Sequence, residues 1–209
     1  SRDMGPKLWI GALILLAGNV AVGMSLAPLN ILVTMLAIRF AIDPVMDASL
    51  RYEGMIWRVV VMLFLLILPT MFVAEYGTQG LLLAMFGYIM RHTEDARIPE
   101  KMRQQFFVAS FFMFVLPQAM FFALDTTQFM VMGTGVMAVM GGLYFFRPAT
   151  YPRLTHIVTL PGAALLHFTG RHTLEIYVAH LLLFKIMGAI LEPERFIWFD
   201  WKWFSQTGV

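Results

Sequence analysis

The chain has 209 residues, 59% of them hydrophobic and only 13% charged, with a net charge of +2 and a mean hydropathy of +0.74. That balance leaves too little polar surface to close a water-soluble globule and reads as an integral membrane protein. Cysteine is absent, which excludes a disulfide framework, a thiolate metal site and a cysteine nucleophile, and in so apolar a chain a pI near 9.0 reads as cytoplasmic loop charge rather than a nucleic-acid surface.

The chain opens Ser1-Arg2-Asp3, and nothing before Lys7 has the charged and apolar regions of a cleavable signal. Upstream sequence is expected either to have been processed away or to be missing here. Seven apolar runs follow: Lys7 to Leu26, Pro28 to Ile42, Met55 to Ala74, Tyr76 to Met90, Phe106 to Leu124, Gln128 to Phe146 and Thr173 to Leu191. Most approach the ~20 residues that cross a bilayer as a helix, while the second and fourth are nearer fifteen. The expected fold is therefore all-α: a polytopic transmembrane bundle of about seven spans forming a single domain over residues 1–209.

Basic residues orient it. With a cytoplasmic N-terminus, that face collects Arg2, Lys7, Arg39, Arg51, Arg58, Arg91, Arg97, Lys101, Arg103, Arg147, Arg153 and Arg171. The opposite face receives Arg195 and Lys202, and Lys185 falls inside the last span. Cytoplasmic loops gather Lys and Arg, so the C-terminus is placed outside. Residues 156–168 are apolar but short and broken by Pro161-Gly162, which predicts a re-entrant or interfacial segment.

Local signals refine the scheme. Asp43-Pro44 and Pro99-Glu100 read as helix stop and start, and Pro69 and Pro117 predict kinks within their spans. Gly77, Gly80, Ala84 and Gly87 form one small-residue face and Thr134, Ala138 and Gly142 another; both are expected to be buried against other helices. Asn19 and Asn30 are expected to serve helix contacts. Glu75, at the start of the fourth span with Gln79 close behind, is expected to face water. The abundant Phe and Met read as lipid contact and gap filling, and the Trp-rich tail Phe196 to Phe204 as an anchor at the outer interface.

Polar chemistry concentrates between Phe168 and Lys185. Arg171 and Glu175, four apart, are placed to pair along one face, whereas Thr173, Tyr177, His180 and Phe184 align on another. His180 is the candidate proton carrier or substrate-orienting group, with Tyr177 beside it. The alternative is that both only tie the helix to its neighbours. The loop from Arg91 to Gln105 supplies Arg91, Arg97, Lys101 and Arg103 as candidate phosphate contacts. No zinc-protease spacing, phosphate-binding glycine motif or nucleophile elbow is present, so no metal is expected.

The segment Gly170-Arg171-His172-Thr173-Leu174-Glu175-Ile176-Tyr177-Val178-Ala179-His180 resembles the closing-helix pattern of TraX-type membrane proteins and, more loosely, of integral-membrane acyltransferases. Leu29 to Thr34 and Glu75 to Tyr88 are similar to the same family. The resemblance implies N-terminal acetylation of a pilin-type protein with acetyl-CoA as donor in a bacterial inner membrane, the outer face then being periplasmic. Arg171, Glu175, Tyr177 and His180 would line the site, and Arg91, Arg97, Lys101 and Arg103 would steer the donor. Members carry an Asp-His pair in an early helix, whereas the first His here is His92 and the first run holds no carboxylate. Either an upstream helix bears that pair, or the chain is a non-catalytic accessory subunit of a larger membrane complex. A small transporter is a third, weaker reading, since no repeat is visible.

Overall fold

The computed structural model describes residues 5–52, 54–146, 165, 168–195, 198–200 and 202–203. Its elements are helical: α1 Gly5–Ala21, α2 Ile31–Ser49, α3 Met55–Leu65, α4 Ile67–Met71, α5 Gly77–Arg91, α6 Glu100–Phe121, α7 Thr126–Phe145 and α8 Thr173–Leu191, followed by the 3-10 turn Pro193–Arg195. Three of them, α6, α7 and α8, are long and apolar enough to cross a membrane, and α1 and α3 are shorter apolar helices. Large apolar side chains lie open along them, among them Met120, Val131, Phe145, Phe184 and Ile190. Surface of this kind belongs in lipid rather than water. Most of the expected re-entrant segment 156–168 lies outside the described residues.

The chain divides into two compact units, Ser1–Leu36 with Pro148–Val209, and Ala37–Arg147, the boundary falling inside α2. In the first unit α1 packs along α8, and Leu8, Ala12, Leu15, Leu32, Leu36 and Val178 form the core. Gly11 permits that approach, because a Cβ there would sit 2.9 Å from Leu32 and 3.1 Å from Val178.

The second unit is organised around α5, which packs against α3, α4, α6 and α7. It buries Gln79, Leu82, Met85, Phe86, Ile89 and Met90, a stripe at helical spacing, against Ile56, Val60, Leu63, Ile67 and Phe106. The small-residue face is less buried than expected, with Gly77, Gly80 and Ala84 half-buried. Gly87 is exposed with nothing within 4 Å of its would-be Cβ, and Thr134, Ala138 and Gly142 of α7 are exposed as well. Large side chains gain more by burial than glycines do, so the α5 core forms on the Leu, Met, Phe and Ile side.

Proline behaves differently from expectation at two positions. Helix α2 continues through Pro44 to Ser49. The turn beyond Pro44 places Met46 and Ser49 in the core, and the Ser49 hydroxyl donates to the Val45 carbonyl at 2.6 Å, so burial outweighs the lost hydrogen bond. Around Pro69 the span is divided: α3 ends at Leu65 and α4 begins at Ile67. Pro69 has no N–H for the carbonyl four residues before it, that of Leu65, and the ladder breaks beside that residue.

Candidate functional site

Helix α8 begins after His172 and presents its side chains as a straight 3.6-residue helix must. Its inward side, Leu174, Tyr177, Val178, Leu181 and Leu182, packs on α1 and the start of α2. Two charged residues flank that side, and both turn to α1. Glu175 accepts a hydrogen bond from Lys7, with His172 Nδ1 at 3.8 Å. The expected Arg171–Glu175 pair is replaced by this contact, because Lys7 on the neighbouring helix reaches the carboxylate that Arg171 was expected to hold. Both partners are more than a third exposed, so solvent screening keeps the contribution of the bridge small.

Lys185, two-thirds along the helix, donates to the Asn19 side-chain oxygen and to the Leu15 carbonyl at 3.3 Å. Asn19 in turn donates to the Ser25 carbonyl at 3.2 Å. A cation inside an apolar helix is costly, and these oxygens replace part of its hydration. Asn30 plays a related part: its amide donates to the Ala12 carbonyl at 3.2 Å, while its oxygen accepts from the Leu32 and Val33 N–H groups that open α2.

His180 projects from the side opposite Val178. Its ring meets Tyr177 edge-on at 5.3 Å and Phe184 at 5.6 Å, and Nδ1 lies 3.3 Å from the Ile176 carbonyl. The aligned face read from the sequence therefore exists as an aromatic ladder. What holds His180 is its own helix. With Nδ1 donating to that carbonyl, Nε2 is left as the basic nitrogen.

The four basic candidates lie in the other unit. Arg97 clasps Asp95 through Nε and Nη2, at 3.1 and 2.7 Å, and stands 3.6 Å from Asp47. Arg103 donates to Glu100 at 2.6 Å and lies over the Tyr144 ring, whose hydroxyl also donates to Glu100. Arg91 and Lys101 are exposed and carry no ion pair among the described residues. Arg97 and Arg103 are thus each paired with carboxylates of their own unit. Among the described residues no three His, Asp or Glu side chains gather as metal ligands.

The loop pair has a testable signature. The Arg97 guanidinium and main-chain N–H hold the Asp95 carboxyl down at about 2, against an ordinary 3.8. A lowered carboxylate pKa stabilises the fold above the ordinary value, and that contribution disappears as pH falls toward 2. Carboxyl titration by NMR is expected to place the Asp95 midpoint near 2 and to raise it in Arg97→Gln, the retained main-chain N–H keeping it below the ordinary 3.8. An unchanged midpoint in the variant would show that the clasp is not what lowers it.

A buried polar joint in the second unit has little signal in the sequence. Gln79, 1% exposed, donates to the Phe114 carbonyl at 3.2 Å and to that of Met113 at 3.4 Å, and its oxygen accepts from the Gln118 amide at 3.3 Å. Met113 lies four residues before Pro117, so its carbonyl is the one that proline leaves without a main-chain donor. Nearby, the Thr78 hydroxyl donates to the Leu63 carbonyl at 2.8 Å, and the Thr78 N–H donates to Thr70 Oγ1 at 2.9 Å. The first cluster serves the carbonyl that Pro117 leaves open, and the second ties α5 to α3 and α4.

Comparison of the chain with protein-family models, characterised proteins and solved structures returns no match.

Proposed function

We propose that the chain is an integral membrane subunit, seven-span with a cytoplasmic N-terminus, whose role is to dock against other membrane proteins. The observation that carries this reading is α7. It has the length and apolarity of a membrane span, yet among its described residues it buries only Met140 within the chain. Its Thr134, Ala138 and Gly142 positions are exposed, at the spacing through which membrane helices approach one another closely. The polar groups of α8 agree with a structural role, since Glu175 and Lys185 hold α1.

Extraction from native membranes in mild detergent is expected to recover a larger complex of fixed stoichiometry. Gly142→Leu is expected to lower recovery of the partner roughly tenfold, equivalent to about 1.4 kcal/mol. A monodisperse, partner-free protein would overturn the proposal.

The second reading is acyl transfer of the TraX type in a bacterial inner membrane. It is favoured by His180, whose ring is held through Nδ1 in the form that offers Nε2 as a base. On that reading the partner-free protein transfers acetyl groups from acetyl-CoA to a pilin-type N-terminus and His180→Ala does not.

A further inference from the structure

The first half of α3 carries an open groove of about 430 Å³, lined by Tyr52, Met55, Val59 and Met62 together with Arg58. Met55, Val59 and Met62 recur at steps of four and three and share one face of α3, and Tyr52 joins them from the bend before the helix. The volume lies within the range of small-molecule sites. Arg58 is the one charged residue of α3. It is exposed, and no carboxylate bridges it among the described residues. Past the groove the apolar surface continues over Leu65 and Leu66, 70% and 39% exposed.

The two halves of this surface make opposite demands. A guanidinium stays charged at any physiological pH and matches phosphate oxygens two at a time, and on an apolar membrane helix it is costly without a counter-charge. A soluble anion would answer Arg58 but leave Val59 and Met62 uncovered. An apolar helix would cover those residues but strand Arg58. An amphiphile with an anionic head answers both.

We infer that this groove binds an anionic phospholipid, its phosphate on Arg58 and one acyl chain along Val59 and Met62 toward Leu65. The inference rests on α3 lying in a bilayer, and it concerns a site distinct from the α7 face.

The full chain would be reconstituted in nanodiscs of phosphatidylcholine, with and without phosphatidylglycerol, and lipids retained on release would be counted by native mass spectrometry. Retention of phosphatidylglycerol is expected to exceed that of phosphatidylcholine about fivefold, the scale of roughly 1 kcal/mol for one basic residue at a lipid surface. Arg58→Gln is expected to reduce the preference to within about twofold and Arg58→Lys to keep most of it. Glycerol phosphate, which has the head without the chain, is expected not to compete. No preference in the unaltered protein, a preference that survives Arg58→Gln, or competition by glycerol phosphate would each overturn the proposal. Incorporation into pure phosphatidylcholine discs tests the membrane reading itself, so its failure is distinguishable from failure of the site.

Discussion

Gly77→Ala is expected to lower the stability of the chain by about 3–5 kcal/mol, the sum of a strained backbone and an overfilled contact. Gly77 has φ +36° and follows Tyr76 at φ +62°, so two successive residues hold the left-handed side of the map where α5 begins. A Cβ at Gly77 would clash with Thr70 Oγ1 and stand 2.8 Å from the Thr70 carbonyl carbon. The hydroxyl could rotate away, but only by leaving the Leu66 carbonyl at 2.7 Å and the Thr78 N–H, and the carbonyl carbon belongs to the main chain of α4. Gly87→Ala is the matched control: a Cβ there meets nothing within 4 Å, and the exchange favours helix by roughly 1 kcal/mol. Reversible unfolding in detergent would separate the two. A Gly77→Ala midpoint equal to that of the unaltered chain would mean that the α4–α5 corner does not have this geometry.

The second large effect is expected at Gln79. Gln79→Leu keeps the bulk but removes the amide that serves the Phe114 and Met113 carbonyls and the oxygen that receives Gln118. Buried polar groups stranded in this way cost about 1–3 kcal/mol each, and part of that is recovered when Gln118 turns elsewhere, so a loss of about 2–3 kcal/mol is expected. The informative partner is Pro117→Ala, which restores a main-chain N–H to the Met113 carbonyl. If Gln79 serves the break made by Pro117, the double variant is less damaged than the sum of the single ones, with a coupling of about 1 kcal/mol. Strict additivity would disconnect the two residues.

The two cases show where the sequence is informative. Helix positions follow from apolar runs, because a run of membrane length has few other ways to satisfy its backbone. Residues Thr173 to Leu191 form the helix read from the sequence, end to end. At finer scale the structure adds the cap of α7, formed by Asp125 and Gln128. The Asp-x-x-Gln spacing is that of a capping box, and both of its hydrogen bonds are made, at 2.8 and 3.1 Å.

Partners on another helix were harder to read. The i, i+4 spacing nominates Arg171 for Glu175 as if one helix ran through both, whereas α8 begins only at Thr173 and Lys7 arrives from α1. Gln79 looked like a polar residue near an interface, and only the packing of α5 on α6 reveals that it answers a proline in another span. The small-residue faces erred for a related reason. Spacing identifies a face that permits close approach, but not whether the helix that approaches belongs to this chain.

The pairing of α1 with α8 imposes an order on biosynthesis. The ribosome delivers α1 before α8, with the contiguous unit Ala37–Arg147 made between them. That middle unit has all its core residues as soon as α7 has been synthesised. Asn19 and Leu15, by contrast, await the Lys185 ammonium for 166 and 170 residues of synthesis. Domains fold as units while the chain emerges, and contacts across long sequence separations close last. Throughout that interval Leu32 and Leu36 of α2 cover part of the inner side of α1, while the Leu15 and Asn19 oxygens wait for the cation that completes their contacts.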